Sequence, residues 1–378
     1  MFLLQLSIVL AAAALGGFIC RKINQPTVLG QLIFGILIGP SLLKVVSPTE
    51  TFVHLSDLGV VFLMFIAGLE TDLDEMIKSG KSSLIIAIGG VIAPIILGVV
   101  ASTLFGNTIE EGFFIGVILA ATSVSITVET LREIDKLKTK QGIAILGAAV
   151  IDDVIGIILL SLVTGLIKPG AGQSFIIVLA KLIGFFAISF VIGIYIIRFT
   201  RKYFSTRNTS QQIAVIALIF CLIFGFVAEE MGVAAITGAY LAGIIISATP
   251  FKHKVSYSIQ ELSYLLLTPI FFVVTGMKVD IAHMLNDLGF GTALLVAAVL
   301  GKIIGCGVVA KFLGFNRRES MQIGVGMIPR GEVALIVTDI GLKLGVVPKG
   351  LFAAIIFMIV ATTVVTPPLL KKSFEKGA

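Results

Sequence analysis

The sequence predicts an all-α polytopic membrane protein: thirteen transmembrane helices, built as two inverted six-helix repeats with discontinuous crossing helices. Three observations predict it. The 378 residues are 57% hydrophobic and 13% charged, with a mean hydropathy of +1.10, whereas about a quarter of a soluble globule's residues are charged. Apolar segments near the length that crosses a ~30 Å hydrocarbon core recur along the chain, separated by short polar connections. Two motifs then return at one fixed offset.

Taken in order, the apolar segments are 2–20, 27–43, 57–70, 83–105, 113–131, 142–166, 174–199, 212–228, 232–249, 262–277, 288–310, 321–340 and 350–370. The first has no basic residue ahead of it and is followed at once by Arg21 and Lys22, the reverse of a cleavable signal peptide, so it is expected to stay as a helix. Cys20, Cys221 and Cys306 stand alone, without the paired spacing of a metal site or disulfide, and read as packing residues. No cofactor is implied.

Placing the connections alternately on two faces gives one face Arg21, Lys22, Lys78, Lys81, Arg132, Lys136, Lys138, Lys140, Arg198, Arg201, Lys202, Arg207, Lys252, Lys254, Lys311, Arg317, Arg318, Lys371, Lys372 and Lys376. The other face receives Lys44, Lys168, Lys278, Lys343 and Lys349. Twenty against five puts the N-terminus outside and the C-terminus in the cytoplasm, in a cell (inner) membrane. The same distribution accounts for the formal charge of +6 without a nucleic-acid partner; the partner is the lipid bilayer.

The repeat rests on two matches. Gly30-Gln-Leu-Ile-Phe-Gly35 in the second segment returns as Gly238-Ala-Tyr-Leu-Ala-Gly243 in the ninth, an offset of 238 − 30 = 208. Gly68-Leu-Glu-Thr-Asp72-Leu-Asp-Glu-Met76 returns as Gly276-Met-Lys-Val-Asp280-Ile-Ala-His-Met284, and 276 − 68 is again 208. Residues 1–166 and 209–374 are thus expected to be a duplication, and the single linking span between them inverts the second copy. The same offset superposes Thr122 on Arg330 and Pro94 on Lys302. Segment twelve, Gly324-Val-Gly-Met-Ile-Pro-Arg-Gly-Glu-Val333, combines Gly, Pro and two charges at mid-span, which opposes a continuous helix. Segment five offers only a run of hydroxyls, Thr122-Ser-Val-Ser-Ile-Thr127, at the matching place, so its break is weakly signalled.

Chemistry concentrates in the sixth segment, Gly147-Ala-Ala-Val-Ile-Asp-Asp-Val-Ile-Gly156. One Asp at the centre of a membrane helix costs about 2.5–3.5 kcal/mol, so Asp152 and Asp153 persist there only facing protein, water or a counter-ion. Lys302, Arg330 and Glu332 also lie within spans. Lys302 is expected to pair with one of the aspartates, and Arg330 with Glu332 or with the ends of broken half-helices. Glu70, Glu129, Glu229, Glu230 and Asp339 lie nearer span ends and read as interfacial, and His54, His253 and His283 as loop residues. This inventory points to an ion transporter.

Thr122-Ser-Val, Asp152-Asp153, Gly301-Lys302 and Pro329-Arg-Gly-Glu332, taken in order across the whole chain, resemble the NapA-like, GerN-like and Kef-like branch of monovalent cation:proton antiporters. The resemblance implies a homodimer that exchanges Na+ (or Li+) for protons, with K+/H+ exchange of the Kef-like kind as the alternative. It implies scaffold and dimer helices at 1–80 and 209–287, mobile core helices at 81–166 and 288–378, and a linking helix at 167–208. Ions would bind where the broken fifth and twelfth spans cross, with Asp153 as principal ligand and proton carrier and Asp152 paired to Lys302. Kef systems usually carry Gln in place of the first Asp and a large cytosolic domain; here Asp152 is kept and the chain closes on Lys371-Lys-Ser-Phe-Glu-Lys-Gly-Ala378.

The residues suit that chemistry. Na+ is a hard cation that takes oxygen ligands, which Asp152, Asp153, Thr122, Ser123 and unwound carbonyls can supply. An intramembrane aspartyl protease needs two carboxyls face to face on one proton, and neighbours on one helix point apart. A channel would need a repeated filter loop, which the sequence lacks.

Overall fold

The computed structural model describes residues 1–167, 175–203, 210–279, 288–347 and 349–375, and among these all regular structure is helical. The helices are α1 (Phe2–Lys22), α2 (Thr27–Ile38), α3 (Glu50–Glu70), α4 (Leu73–Leu104), α5 (Ile109–Ala120), α6 (Val124–Glu133), α7 (Lys140–Ile167), α8 (Phe175–Tyr203), α9 (Ser210–Glu230) and α10 (Ala235–Ser247). There follow α11 (Lys252–Leu262), α12 (Thr268–Met277), α13 (Leu288–Lys302), α14 (Val309–Phe312), α15 (Arg317–Gly326), α16 (Glu332–Leu344) and α17 (Lys349–Phe374). Among the described residues ten helices or near-continuous helix pairs are long and apolar enough to cross a membrane, and three shorter ones, Thr27–Ile38, Ala235–Ser247 and Val333–Leu342, are apolar too. The chain is a multi-pass membrane protein.

Local chemistry explains where these helices bend and stop. Pro269 has no N–H to continue the ladder, and the turn before it, Ser263–Leu267, widens to a π-helical one between α11 and α12. A second π-helical turn, Ile303–Val308, starts immediately after Lys302. α4 starts at Leu73, ten residues before the apolar segment it contains, so the boundary expected at 80/81 falls inside a helix. Asp72 caps it, accepting from the backbone N–H groups of Asp74 (2.9 Å) and Glu75 (3.2 Å), and the two acids suit the positive end of the helix. His54 and His253 are likewise helical, on α3 and α11, whereas His283 lies outside the described residues.

Packing follows the 208-residue offset. A Cβ on Gly35 would collide with the Val273 carbonyl oxygen, and one on Gly243 with that of Phe65; 35 and 65 become 243 and 273 on adding 208. Gly68 abuts the Tyr240 carbonyl as Gly276 abuts that of Leu32, again the same contact with the halves exchanged. α5 and α15 start 208 residues apart, as do α6 and α16. Thr108 with Glu111 and Asn316 with Glu319 form matching capping boxes, each preceded by a left-handed glycine, Gly106 (φ 83°) and Gly314 (φ 90°). Because backbones meet without side chains between them, Gly68→Val and Gly276→Val should each cost about 1–3 kcal/mol through overpacking. A lowered midpoint of thermal unfolding in detergent checks this.

Burial ranks the helices by position. The most apolar stretch of Ile109–Glu133 is entirely buried, whereas only 22% of that of Ile176–Arg198 is, so α5 and α6 are central and α8 peripheral. Surrounded by protein on every side, the α5–α6 break can keep irregular backbone that lipid would not tolerate.

Candidate functional site

Two helix breaks cross at the centre. α15 ends at Gly326 because Pro329 can neither donate to the ladder nor sit in a continuing turn, and α16 restarts at Glu332. α5 ends at Ala120 with no proline to stop it, and α6 restarts at Val124. The second break holds the first open: Ser123 N–H donates to the Pro329 carbonyl (2.7 Å), and the Thr127 hydroxyl donates to the Gly326 carbonyl (2.6 Å). α17 holds the second in turn. Thr363 donates to the Arg330 carbonyl (2.6 Å), and Arg330 N–H donates to the Thr362 hydroxyl (3.3 Å).

Arg330 is fully buried at this crossing. Its guanidinium donates to the carbonyls of Leu119 (2.5 Å), Ala298 (3.2 Å), Met327 (3.2 Å) and Ile328. Leu119 and Met327 belong to the C-terminal ends of α5 and α15, and each such end carries about half a negative charge. One arginine therefore meets about one unit of negative charge shared between two half-helices. Glu332 opens α16, and its side chain lies outside the described residues.

Asp152 and Asp153 are buried on α7. Lys302 Nζ donates to Asp152 Oδ2 at 2.8 Å, and the Thr122 hydroxyl donates to the same oxygen at 2.6 Å. The lysine reaches it because two glycines bring α4 and α13 together. A Cβ on Gly90 would strike the Cys306 sulfur and stand 3.4 Å from Lys302 Nζ, and one on Gly301 would stand 2.9 Å from Pro94 Cα. Asp152 Oδ1 and Ser123 Oγ are buried without a hydrogen-bond partner among the described residues. A buried carboxylate oxygen and a buried hydroxyl left open are costly, and they are oxygen ligands of the kind a hard cation takes. The structure thus brings together Thr122, Ser123, Asp152, Lys302 and Arg330, with Asp153 one residue along α7.

Glu129 departs from the expectation of an interfacial acid. It is buried in protein, with both oxygens on Arg132 (2.5 and 3.1 Å), because α6 is buried as far as Leu131. Thr127, Thr362 and Thr363, which pin the breaks, carry no sequence signal beyond being hydroxyls in apolar spans.

The pattern of the family described as "Sodium/hydrogen exchanger, transmembrane" matches residues 8–372. The chain belongs to the sodium/hydrogen exchanger family. This exchanger is a secondary transporter and not an enzyme. It is 40% identical to the "Na(+)/H(+)-K(+) antiporter GerN" of Bacillus cereus over 373 residues, 99% of this chain and 96% of that protein. It is 33% identical to the "Na(+)/H(+) antiporter" of Enterococcus hirae over 375 residues, 98% and 97% of the two chains. Among solved structures, the exchanger superposes on the sodium proton antiporter MjNhaP1 of Methanocaldococcus jannaschii with a TM-score of 0.79 at 17% identity, over 98% of this chain and 95% of that one. That likeness extends to the fold.

Proposed function

We propose that this exchanger moves Na+ (or Li+) against protons by alternating access at the crossing of the two helix breaks. The observation that carries the reading is Asp152, a buried carboxylate held at Oδ2 by Lys302 and Thr122 with Oδ1 left open, as Ser123 in the neighbouring break leaves Oγ open. Asp153 is the principal cation ligand and proton carrier. A carboxylate deep in a membrane protein must be neutralised, and a proton and a cation are alternative ways to do so. One site that takes either, exposed first to one side and then to the other, performs exchange.

Thirteen spans in two inverted repeats joined by α8 fit the glycine contacts that recur with the halves exchanged, since a two-fold relation swaps both partners of a contact. The scaffold is 1–72 and 209–287, the mobile core, taking in the whole of α4, 73–166 and 288–378, and the basic faces put the N-terminus outside in a cell membrane. The protein works as a homodimer. Arg330 fixes the half-helix ends, with Glu332 at the start of α16 as its counterpart.

In proteoliposomes holding an acid interior, added Na+ or Li+ is expected to release protons. The name of the Bacillus cereus relative includes K+, so K+ is the second cation to test. Release with K+ alone would replace the sodium reading, and no release with any of them from mildly acidic to alkaline pH would remove antiport.

A further inference from the structure

Where the proposed core meets the scaffold near the basic, cytoplasmic face, α6 is bonded to it. The N-terminus of scaffold helix α2 has no cap of its own, since Pro26 supplies none. Its first N–H, that of Thr27, donates instead to Glu133 Oε2 at 2.6 Å, from a core helix 106 residues away. Beside it Arg132, held by Glu129, lies 3.5 Å over the ring of Tyr264 in the π-helical turn of the scaffold. A carboxylate on a helix N-terminus and a guanidinium on an aromatic face are both directional, partly charged contacts.

The repeat supplies an internal control. Adding 208 to Glu129, Arg132 and Glu133 gives Val337, Ile340 and Gly341, and Thr27 becomes Ala235. None of these side chains can cap or pair. Subtracting 208 from Tyr264 gives Ser56, which lines a cavity of about 90 Å3 between scaffold residues such as Ile36 and Thr275 and the core residues Gly331 and Leu335. At the position equivalent to Tyr264 the core and scaffold thus leave a cavity instead of an aromatic contact.

From this we infer that Glu133 and Arg132 are positioning residues: a latch that shuts the cytoplasmic side while the outer side is open, and that must break once per transport cycle. The inference rests on the alternating-access reading above. At the positions the repeat makes equivalent the latch has no counterpart, so it biases the resting protein toward the outward-open state. It thereby lowers the fraction of molecules that can take Na+ from the cytoplasm, and apparent affinity falls with that fraction.

Removing the latch should act on sidedness rather than on the site. In Glu133→Ala the cytoplasmic half-saturation for Na+, read in inside-out vesicles, is expected to fall about tenfold. The external one, read in right-side-out vesicles, should stay or rise. Glu133→Gln, which keeps an oxygen acceptor without the charge, should fall between. A parallel fall on both sides, or an unchanged or raised cytoplasmic value, would overturn the latch. A second measurement holds even if the alanine variant folds poorly. In a background without the three native cysteines, Thr27→Cys with Glu133→Cys, bridged by a short bifunctional thiol reagent, should stop exchange, and cleaving the bridge should restore it. Full exchange with the bridge in place means that the two residues never part, and the latch is wrong. Native protein that exchanges no cation for protons in either vesicle type would instead defeat the antiport reading.

Discussion

Asp153→Asn is expected to abolish Na+-driven proton release, while Asp152→Asn keeps a slow residual exchange with an altered charge balance. Both carboxylates are buried on α7, but neighbours on a helix point about 100° apart, so they need not share a task. Asp152 Oδ2 is held by Lys302 and Thr122. Asparagine has nearly the shape of aspartate but can neither carry the proton nor neutralise the cation. Leaving a buried charge without its partner costs about 3–5 kcal/mol, beyond a hundredfold in occupancy. The measurement is proton release from proteoliposomes with each purified variant, whose thermal unfolding is compared with the native protein's. Equal and complete loss in two well-folded variants would remove the division of labour between the aspartates.

What could be read from the sequence divides along physical lines. Composition and the 208-residue offset made the membrane fold and the paired segments legible, because both are averages over many residues. The break in the second half was legible through Pro329 and Gly331, which act locally. The break after Ala120 was barely legible, since the groups that hold it open come from the other break: the Pro329 and Gly326 carbonyls that take up Ser123 N–H and the Thr127 hydroxyl. Arg330 was visible as a charge in a span, with half-helix ends among its possible partners. Which carbonyls it serves, Leu119 and Met327 among them, depends on the crossing itself. Glu129 was misplaced for a related reason: a position near the end of a span looks interfacial unless one knows that α6 is enclosed by protein.

Lys302→Gln is expected to leave exchange running but make it electroneutral. In the native protein Lys302 Nζ lies 2.8 Å from Asp152 Oδ2, with side chains 0% and 1% exposed, so the pair is sealed from water. We propose that Na+ entering beside Asp153 uses the open oxygen Asp152 Oδ1 and draws this carboxylate away from the ammonium. Lys302, losing its partner, then gives up its proton to water on the side from which Na+ entered. One Na+ moves against two protons, one from Asp153 and one from Lys302, and each cycle carries one net charge. Glutamine can still donate a hydrogen bond to Asp152 but has no proton to release, so Na+ then moves against one proton. A structural pair would behave otherwise: stranding Asp152 would cost about 3–5 kcal/mol of stability and transport would vanish with the fold. The deciding measurement is Na+ uptake driven by a membrane potential from a potassium gradient with valinomycin. The native protein should respond and the variant should not, and native uptake indifferent to the potential would defeat the two-proton scheme whatever the variant does.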